Sequence, residues 1–271
     1  MSESERDRIA IECARIASVA GVAVMDVFNS DFLSRTKADS SPVSDADEHA
    51  EAIILERLAK AFPGVPIIAE EQAAADGLSH RRPGDLFFLV DPVDGTREFI
   101  AKKHDFTVNI GLVENGLPIA GAVYAPAREE MFTGGAGALH WTRFLPGADP
   151  DPETAAVAVS REYPEEGLTA VVSSSHLTDE TQAFVDRLTL AKRVSFGSSL
   201  KFCRVATGEA DVYPRWGPTM EWDTAAGHAV LNAAGGCVVS PDGEPFLYGL
   251  HADGFRNGPF IAWGRKPLIT S

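Results

Sequence analysis

One short stretch limits what this chain can fold into more than any other: the apolar run Leu86–Val90 leads directly into the acidic segment DPVDGT, residues 91–96. An apolar run of this length, bounded by turn residues, is typical of a buried strand. The proline of the segment cannot join a strand ladder, and its glycine permits a tight turn. We therefore predict that the strand ends here and that Asp91 and Asp94 converge there with the Val93 carbonyl.

Two other segments place acids where structural elements begin or end. Glu70-Glu71 follows the apolar run PIIA, residues 66–69, and Asp223 lies in WDTAAG, residues 222–227, at the start of a predicted helix. Each segment alone also fits an ordinary role, because Asp-Gly is a common turn, Asp223 is a good helix cap and a Glu pair is often solvated. Carboxylates packed together repel one another, whereas oxygen-only ligands suit a hard cation such as Mg²⁺. Together the three segments predict a magnesium site.

Composition narrows the possible functions. The net charge of −15 over 271 residues argues against a nucleic-acid-binding surface, and an anionic substrate would need bound cations to approach. No apolar stretch approaches the ~20 residues needed to span a bilayer. The N-terminus lacks the basic start of a secretory signal. We expect a cytoplasmic protein whose Cys13, Cys203 and Cys237 are reduced, structural thiols.

Periodicity in the first half of the chain predicts two helices against a largely antiparallel sheet. Apolar spacing indicates helices over 4–29 and from Ser44 or Asp45 to Phe62. Asn115-Gly116 is a strong hairpin signal between the last two of the predicted strands, which are 66–69, 86–90, 106–113 and 117–125.

After the Pro- and Asp-rich segment 145–153 the pattern changes to alternating strands and helices. Strands are predicted at 169–175, 192–196, 236–239 and 259–263, and helices at 178–190, 199–206 and 224–234. This alternation indicates an α/β lobe. We therefore predict the α/β class, with an α+β N-terminal lobe over 1–148 and an α/β C-terminal lobe over 149–271.

The acidic segments and their surroundings resemble a known family. Glu70-Glu71, DPVDGT (91–96) and WDTAAG (222–227) are similar to the three signature motifs of the inositol monophosphatase-like, lithium-sensitive phosphatase superfamily. Segments 37–47, 97–126, 197–230 and 257–260 resemble its branch of bacterial CysQ-type 3′(2′),5′-bisphosphate nucleotidases. The resemblance implies a layered α-β-α-β-α sandwich of the inositol monophosphatase/fructose-bisphosphatase type. It also implies two or three Mg²⁺ ions between the lobes and inhibition by lithium.

The resemblance further implies roles for individual residues. Asp47 and Thr96 match the pair that orients and deprotonates the attacking water, with Glu70 as a third catalytic residue. From the residues alone, Asp47 also fits an acid in the first turn of a helix. The implied ligands of the first Mg²⁺ are Glu70, Asp91 and the Val93 carbonyl. Those of the second are Asp91, Asp94 and Asp223, and a third ion would be held by Glu70 with help from the loop of Asp39.

The second phosphate of a nucleotide bisphosphate needs cationic or hydroxyl partners away from the ions. Lys201 and Arg215 are the cationic candidates, with ordinary surface charge as the alternative, and Trp216 or Tyr213 would flank the base. The predicted substrate-binding set is Glu70, Asp94, Gly95, Thr96, Arg97, Ser198, Ser199, Lys201, Arg215 and Asp223. Outside this set, His176 and His228 are expected either to be structural or to support the ligands from behind, and not to bind the ions themselves. Glu221 is an extra acid that could alter hydroxyl recognition.

These observations lead to one expected function and two alternatives. We expect Mg²⁺-dependent hydrolysis of 3′-phosphoadenosine 5′-phosphate to AMP and phosphate by a metal-activated water, which removes a by-product of sulfate assimilation. Inositol monophosphate or fructose 1,6-bisphosphate is the alternative substrate, and a non-catalytic nucleotide-binding regulator is the alternative class. The expected partner is a small phosphorylated nucleotide, with no nucleic acid and no integral membrane association. Some relatives contact the inner membrane peripherally, and both a monomer and a homodimer remain open.

Overall fold

The structure of the chain, a computed structural model, describes most of its residues: 1–30, 35–36, 42–43, 45–76, 83–173, 177–249 and 254–268. The predictions made for Asp39, Ser44 and His176 lie outside these residues. None of the helices within the described ranges combines the length and the apolar character needed to cross a membrane.

Helices and strands are distributed along the whole described chain. The helices are α1 (Glu3–Phe28), α2 (Asp45–Ala61), α3 (Glu70–Asp76), α4 (Thr96–Ile100), α5 (Asp179–Val185), α6 (Leu200–Ala206) and α7 (Glu221–Ala233). The first strands are β1 (Arg35–Thr36), β2 (Pro42–Val43), β3 (Ile67–Ala69), β4 (Leu86–Asp94), β5 (Thr107–Glu114), β6 (Leu117–Ala125), β7 (Glu130–Gly134), β8 (Ala138–Thr142) and β9 (Ala156–Val157). The later strands are β10 (Leu168–Ser173), β11 (Leu190–Phe196), β12 (Val212–Arg215), β13 (Cys237–Val239) and β14 (Phe260–Trp263).

Two sheets hold these strands, besides a two-stranded ribbon of β1 and β2. The larger sheet has the order β3-β4-β5-β6-β7-β8-β9, in which β3 and β4 are parallel and all later neighbours are antiparallel. The smaller sheet has the order β11-β10-β12-β14-β13, with β11, β10 and β12 parallel and β14 antiparallel to both its neighbours. The larger sheet is the largely antiparallel one that the sequence predicted.

The elements stack in five layers. Helices α1 and α2 cover one face of the larger sheet, over an apolar core that includes Ile54 and Tyr124. Helices α6 and α7 lie between the two sheets in a second core, which includes Phe202. Helix α5 covers the outer face of the smaller sheet, where Phe184 packs against Trp263. This arrangement confirms the predicted α-β-α-β-α sandwich.

A row of glycines sets the distance between α7 and the larger sheet. Gly111, Gly121 and Gly134 are direct cross-strand neighbours on β5, β6 and β7. A Cβ at Gly111 would lie 2.8 Å from the backbone nitrogen of Ala226, and one at Gly121 would lie 3.1 Å from its Cα. The helix backbone can therefore rest directly on the sheet only because these positions carry no side chain. The row fixes the height of α7 above the sheet from Ala225 to Val230, and Asp223 lies in the helical turn just before this segment.

Local sequence signals explain several element boundaries. Asn115 and Gly116 have φ angles of 53° and 79°, as the two central residues of a type I′ hairpin turn require. Helix α1 starts at a capping box, in which the Ser2 hydroxyl accepts from the Glu5 N–H and the Glu5 carboxylate accepts from the Ser2 N–H. Both the hairpin and this helix lie where the sequence predicted them.

Other boundaries differ from the prediction. Strand β4 does not end at Asp91 but continues to Asp94 through a bulge, which accommodates the proline between them. Helix α7 begins at Glu221 rather than at 224, and α5 ends at Val185 rather than at 190. The prediction missed β1, β2, α3, α4, β7, β8, β9 and β12, which are short, and a proline such as Pro214 argues against a strand when only the sequence is known. The division at residues 148 and 149 stays a prediction.

Candidate active site

The three acidic segments meet at one cleft of about 290 Å³, lined by the end of β4 and the first turns of α6 and α7. All the predicted metal ligands and substrate-binding residues lie in its walls: Glu70, Asp91, Val93, Asp94, Gly95, Thr96, Arg97, Ser198, Ser199, Lys201, Arg215 and Asp223. Residues that are distant in the sequence therefore share one site, as the prediction required.

Strand register brings Glu70 next to Asp91. Strands β3 and β4 are parallel with Ala69 opposite Val90, so the residues that follow these two lie side by side. Asp223 approaches them from the first turn of α7. One carboxylate oxygen from each of the three acids lies within 4.8 Å of the other two. This spacing suits cations that are shared among several carboxylates.

Backbone N–H groups hold one oxygen of two of these acids. Asp91 Oδ1 accepts from the Val93 N–H at 3.0 Å, and Asp223 Oδ2 accepts from the Met220 N–H at 2.9 Å. The second bond is the cap of α7, with Asp223 at the third position of the helix. Capping and ion binding are compatible for Asp223, because the cap uses one oxygen and leaves the other as a ligand.

A buried network of hydroxyl and amide groups orients Asp94. Its Oδ2 accepts from the Ser198 hydroxyl at 2.8 Å and from the Ser199 N–H at 2.6 Å. The Ser199 hydroxyl donates to Asn109 Oδ1 at 2.7 Å and is 2.9 Å from the Thr107 hydroxyl. Thr107 and Asn109, on β5, are fully buried, and the sequence analysis did not single them out. This network ties the loop before α6 to the end of β4.

Burial and mutual repulsion raise the pKa values of the clustered acids. The pKa of Asp91 is well above its usual value because of burial first, and then because of the charges of Glu70, Asp94 and Asp223. The pKa of Asp223 is raised by burial and then by Asp94 and Glu70. Burial also raises the pKa of Asp94, although Lys201 opposes this shift. A divalent cation would replace the protons that such a cluster otherwise retains, so this donor set fits a hard metal ion.

The turn after β4 adds a carbonyl and a hydroxyl to the cleft. Gly95 has a φ of 92°, and a Cβ there would lie 3.1 Å from the carbonyl oxygen of Asp105. Glycine is therefore required for both conformation and space. The Thr96 hydroxyl donates to the Val93 carbonyl at 3.2 Å, and Arg97 is exposed beside them. The acids, the carbonyl and the hydroxyl of this segment share one cleft, as predicted.

Helix α2 carries two buried acids near the cleft. Asp47 is 2% exposed, and its charge contributes to raising the pKa of Asp91, which places it close to the cluster. Glu51, one turn later, is 5% exposed and accepts from the backbone N–H groups of Glu71 and Gln72, each at 2.7 Å. The sequence analysis missed Glu51, although its spacing from Asp47 puts both on one helix face.

Two buried cations line the cleft, so the alternative that they are ordinary surface charges is wrong. Lys201 is 3% exposed and Arg215 is 7% exposed. The Lys201 ammonium donates to the Ser198 carbonyl and lies 5.3 Å from the ring centre of Tyr213. Burial lowers the pKa of Lys201 to about 8, and Asp94 opposes this shift. The Arg215 guanidinium donates to two backbone carbonyls, at 3.1 Å and 3.0 Å.

The two aromatic candidates for base binding separate in the structure. Tyr213 lies in the cleft wall, with its ring 5.1 Å from that of Phe202. Trp216 packs against Phe184 of α5, at a ring separation of 5.2 Å, in the outer apolar cluster. Of the two, only Tyr213 is placed to contact a ligand in the cleft.

Glu221 and His228 belong to a buried network around α7 and do not line the cleft. The Glu221 carboxylate accepts twice from the Gly249 N–H, at 2.9 Å and 2.8 Å, which does not support an influence on hydroxyl recognition. His228 Nδ1 is 3.1 Å from the Tyr248 hydroxyl, and that hydroxyl donates to Thr224. Burial lowers the pKa of His228 to about 3. His228 is thus a neutral, structural residue, as expected.

Comparisons with known sequences agree with this architecture. The profile of the "Inositol monophosphatase family" matches residues 4–258. The 3′(2′),5′-bisphosphate nucleotidase CysQ of Escherichia coli K12 is 39% identical over 241 residues, which are 88% of this chain and 92% of that protein. The CysQ of Buchnera aphidicola is 36% identical over 251 residues, which are 92% and 91% of the two proteins.

Solved structures give the same result. CysQ from Bacteroides thetaiotaomicron, described as a bacterial member of the inositol monophosphatase family, has a TM-score of 0.79 and 32% identity, covering 96% of this chain and 98% of that one. The IMPase of Thermotoga maritima has a TM-score of 0.72 and 25% identity, covering 95% and 92%. Because profile, sequence and structure all match over most of its length, this chain belongs to the inositol monophosphatase family.

Proposed function

We propose that this chain is a Mg²⁺-dependent 3′(2′),5′-bisphosphate nucleotidase that hydrolyses 3′-phosphoadenosine 5′-phosphate to AMP and phosphate in the cytoplasm. One observation carries the proposal: the acid cluster of Glu70, Asp91 and Asp223 shares its cleft with the buried cations Lys201 and Arg215. A substrate with two phosphates can then place one at the acids and their ions and the other at the cations. The nucleotidase relatives, at 39% and 36% identity, support this substrate class.

The proposed ions are held by oxygen ligands alone. Glu70, Asp91 and the Val93 carbonyl would hold one Mg²⁺, and Asp91 would hold a second with Asp94 and Asp223. For a third ion the resemblance implies Glu70 and the loop of Asp39, and Asp39 lies outside the described residues. When bound, the ions neutralise charge on the phosphate oxygens and acidify the attacking water.

The chain itself orients the attacking water. Asp47, buried beside the cluster, is the proposed acceptor for the proton of the water. The Thr96 hydroxyl donates its own proton to the Val93 carbonyl, so its oxygen is left to accept a hydrogen bond from the water. No Ser or Cys nucleophile is needed, because phosphoryl transfer depends mainly on positioning and charge neutralisation.

Recognition of the second phosphate is proposed for Lys201 and Arg215, because the Ser198 and Ser199 hydroxyls, also predicted to bind substrate, already donate to Asp94 and Asn109. Both cations donate to backbone carbonyls, and a phosphate dianion would exchange for these weaker partners. Their burial strengthens the attraction, because charges interact more strongly where water is excluded. The turn at 95–96 and the exposed Arg97 would hold the phosphate that is cleaved.

A comparison of substrates tests the proposal. Phosphate release would be measured at saturating Mg²⁺ with 3′-phosphoadenosine 5′-phosphate, inositol monophosphate and fructose 1,6-bisphosphate. We expect kcat/KM to be highest, by about 100-fold or more, for the nucleotide. Inositol monophosphate has no second phosphate for the buried Lys201 and Arg215, and fructose 1,6-bisphosphate has no base for Tyr213. Preference for the inositol phosphate or the sugar bisphosphate would overturn the assignment.

A variant at Lys201 tests where the second phosphate binds. Lys201→Met keeps the length of the side chain and removes its charge, and losing a hydrogen bond to a charged group costs about 1.5–3 kcal/mol, roughly 10- to 150-fold in kcat/KM. Adenosine 3′-monophosphate, which lacks the 5′-phosphate, should be hydrolysed nearly as well by the variant as by the wild type. The exposed Lys192, on β11, provides the control Lys192→Met. Equal losses for both substrates would show that Lys201 acts at the cleaved phosphate instead.

A further inference from the structure

Glu51 makes contacts that the proposed reaction does not use directly. It lies on α2 one helical turn after Asp47 and is 5% exposed. Its two carboxylate oxygens accept from different groups: Oε2 from the Glu71 N–H and Oε1 from the Gln72 N–H, each at 2.7 Å. Both donors belong to the first turn of α3, whose first residue is Glu70.

These two bonds stabilise the start of a short helix. The first N–H groups of any helix have no partner within the helix, and a carboxylate that accepts from them forms short, charge-assisted bonds. Helix α3 covers only Glu70–Asp76, and helices of this length are not stable alone. The preceding strand, β3, has three residues. Register with β4 therefore fixes the backbone up to Ala69, and Glu51 fixes the direction in which the chain continues.

We propose that Glu51 is a positioning residue of the active site, which holds Glu70 at its place beside Asp91 by capping α3. Helix α2, which carries Glu51, also carries Asp47. One rigid helix therefore sets the distance between the proposed water-activating acid and a metal ligand. The roles of Glu70 and Asp47 in this inference rest on the proposed function.

Burial of Glu51 shows that its position is not incidental. A carboxylate away from water is costly, and burial raises the pKa of Glu51 to about 7, while the two N–H groups oppose the shift. Glu51 thus lies at a buried position where its charge is disfavoured, and both of its carboxylate oxygens accept hydrogen bonds from the segment that carries Glu70. Removing groups that orient a metal ligand typically weakens metal binding by about 10- to 100-fold.

Glu51→Gln is the direct test, in the full-length chain. The amide keeps the shape of the side chain but replaces one acceptor oxygen with an NH₂ group, which faces a backbone N–H. We expect Mg²⁺ affinity, measured by calorimetric titration without substrate, to fall by about 10- to 100-fold. Glu51→Asp keeps the charge on a shorter stem, and we expect it to restore part of the affinity. Circular dichroism of both variants establishes that they are folded.

A control variant separates positioning from general stability. Glu130, on β7, is also partly buried and accepts from both terminal nitrogens of Arg204, and it lies outside the cleft walls. Glu130→Gln should lower the melting temperature and leave Mg²⁺ affinity at the wild-type value. Wild-type affinity in Glu51→Gln would overturn the inference, as would equal affinity losses in the Glu51 and Glu130 variants. If Glu51→Gln does not fold, wild-type affinity in the folded Glu51→Asp would overturn it in the same way.

Failure of the proposed function would look different. A wild-type chain that does not bind Mg²⁺ would contradict the metal site itself, whatever the effect of Glu51. A wild-type chain that binds Mg²⁺ but prefers another substrate would contradict the nucleotide assignment and leave the role of Glu51 intact.

Discussion

Replacing Gly111 with Ala tests whether the glycine row sets the position of Asp223. The added Cβ would lie 2.8 Å from the Ala226 nitrogen and 3.0 Å from the Ala225 carbonyl carbon. These are backbone atoms of α7 and cannot swing aside as a side chain would. Ordinary contact begins at 3.4 Å, so the helix must retreat by about 0.6 Å, the difference between 3.4 Å and 2.8 Å.

The retreat has a cost in stability and a cost in metal binding. Overpacking of this kind destabilises a protein by about 1–3 kcal/mol, which for a chain of this size lowers the melting temperature by roughly 2–12 °C. Asp223 precedes Ala226 by three residues in the same helix and moves with it, whereas Glu70 and Asp91 stay with the larger sheet. Because disturbing the groups that orient a metal ligand typically weakens metal binding by about 10- to 100-fold, we expect Mg²⁺ affinity to fall by about tenfold.

Calorimetry provides both measurements, and Gly137→Ala is the matched control. A Cβ at Gly137 would meet nothing within 4 Å, so this variant should keep the wild-type melting temperature and Mg²⁺ affinity. If Gly111→Ala melts earlier but binds Mg²⁺ as the control does, α7 packing does not position Asp223. If the melting temperature of Gly111→Ala is also unchanged, α7 does not approach the larger sheet as closely as the structure shows.

Two further predictions concern buried groups. Asp91→Asn should abolish phosphate release and the rise in melting temperature on adding Mg²⁺. The metal-free protein should stay folded and at least as heat-stable as the wild type, because a neutral side chain replaces a carboxylate whose charge is disfavoured by burial and by the neighbouring acids. Thermal unfolding with and without Mg²⁺ checks this, and a variant still stabilised by Mg²⁺ would contradict it. His228→Gln should flatten the pH dependence of stability, because burial lowers the pKa of His228 to about 3, so that below pH 6.5 only the unfolded chain takes up this proton. Between pH 6.5 and pH 5 the wild type should lose about 2 kcal/mol of unfolding free energy because of this histidine. Urea titrations at several pH values measure the loss, and an equal loss in the variant would show that His228 is not its source.

Features encoded by neighbouring residues could be predicted from the sequence. The run Leu86–Val90 and the segment 91–96 contain the strand, the proline, the acids and the glycine turn in order. The convergence of these acids at the end of a strand could therefore be predicted without knowledge of the fold. The hairpin at Asn115-Gly116 is of the same kind. The bulge that carries β4 past Pro92 was missed, because it depends on pairing with β5.

Features that arise from register could not be predicted in this way. Gly111, Gly121 and Gly134 lie in three different strands and form a row only when those strands pair in one particular alignment. In the same way, Asn109 supports the loop before α6 because β5 lies next to β4 and α6 starts above it. Glu51 is an intermediate case, since its helix face was predictable but its contact with α3 was not.

The positions of a few charged residues explain how a strongly acidic protein can attract an anionic substrate. A net charge of −15 repels a phosphate ester, yet Asp91, Asp94 and Asp223 are clustered where burial and repulsion raise their pKa values. Such a cluster gains free energy by exchanging protons for divalent cations, which reverses the local field. Lys201 and Arg215 are a small part of the total charge, but they are buried in the same cleft, where their attraction for an anion is least screened. The composition predicts repulsion at long range, whereas the placement of a few residues predicts attraction at the one surface that a phosphorylated substrate must reach.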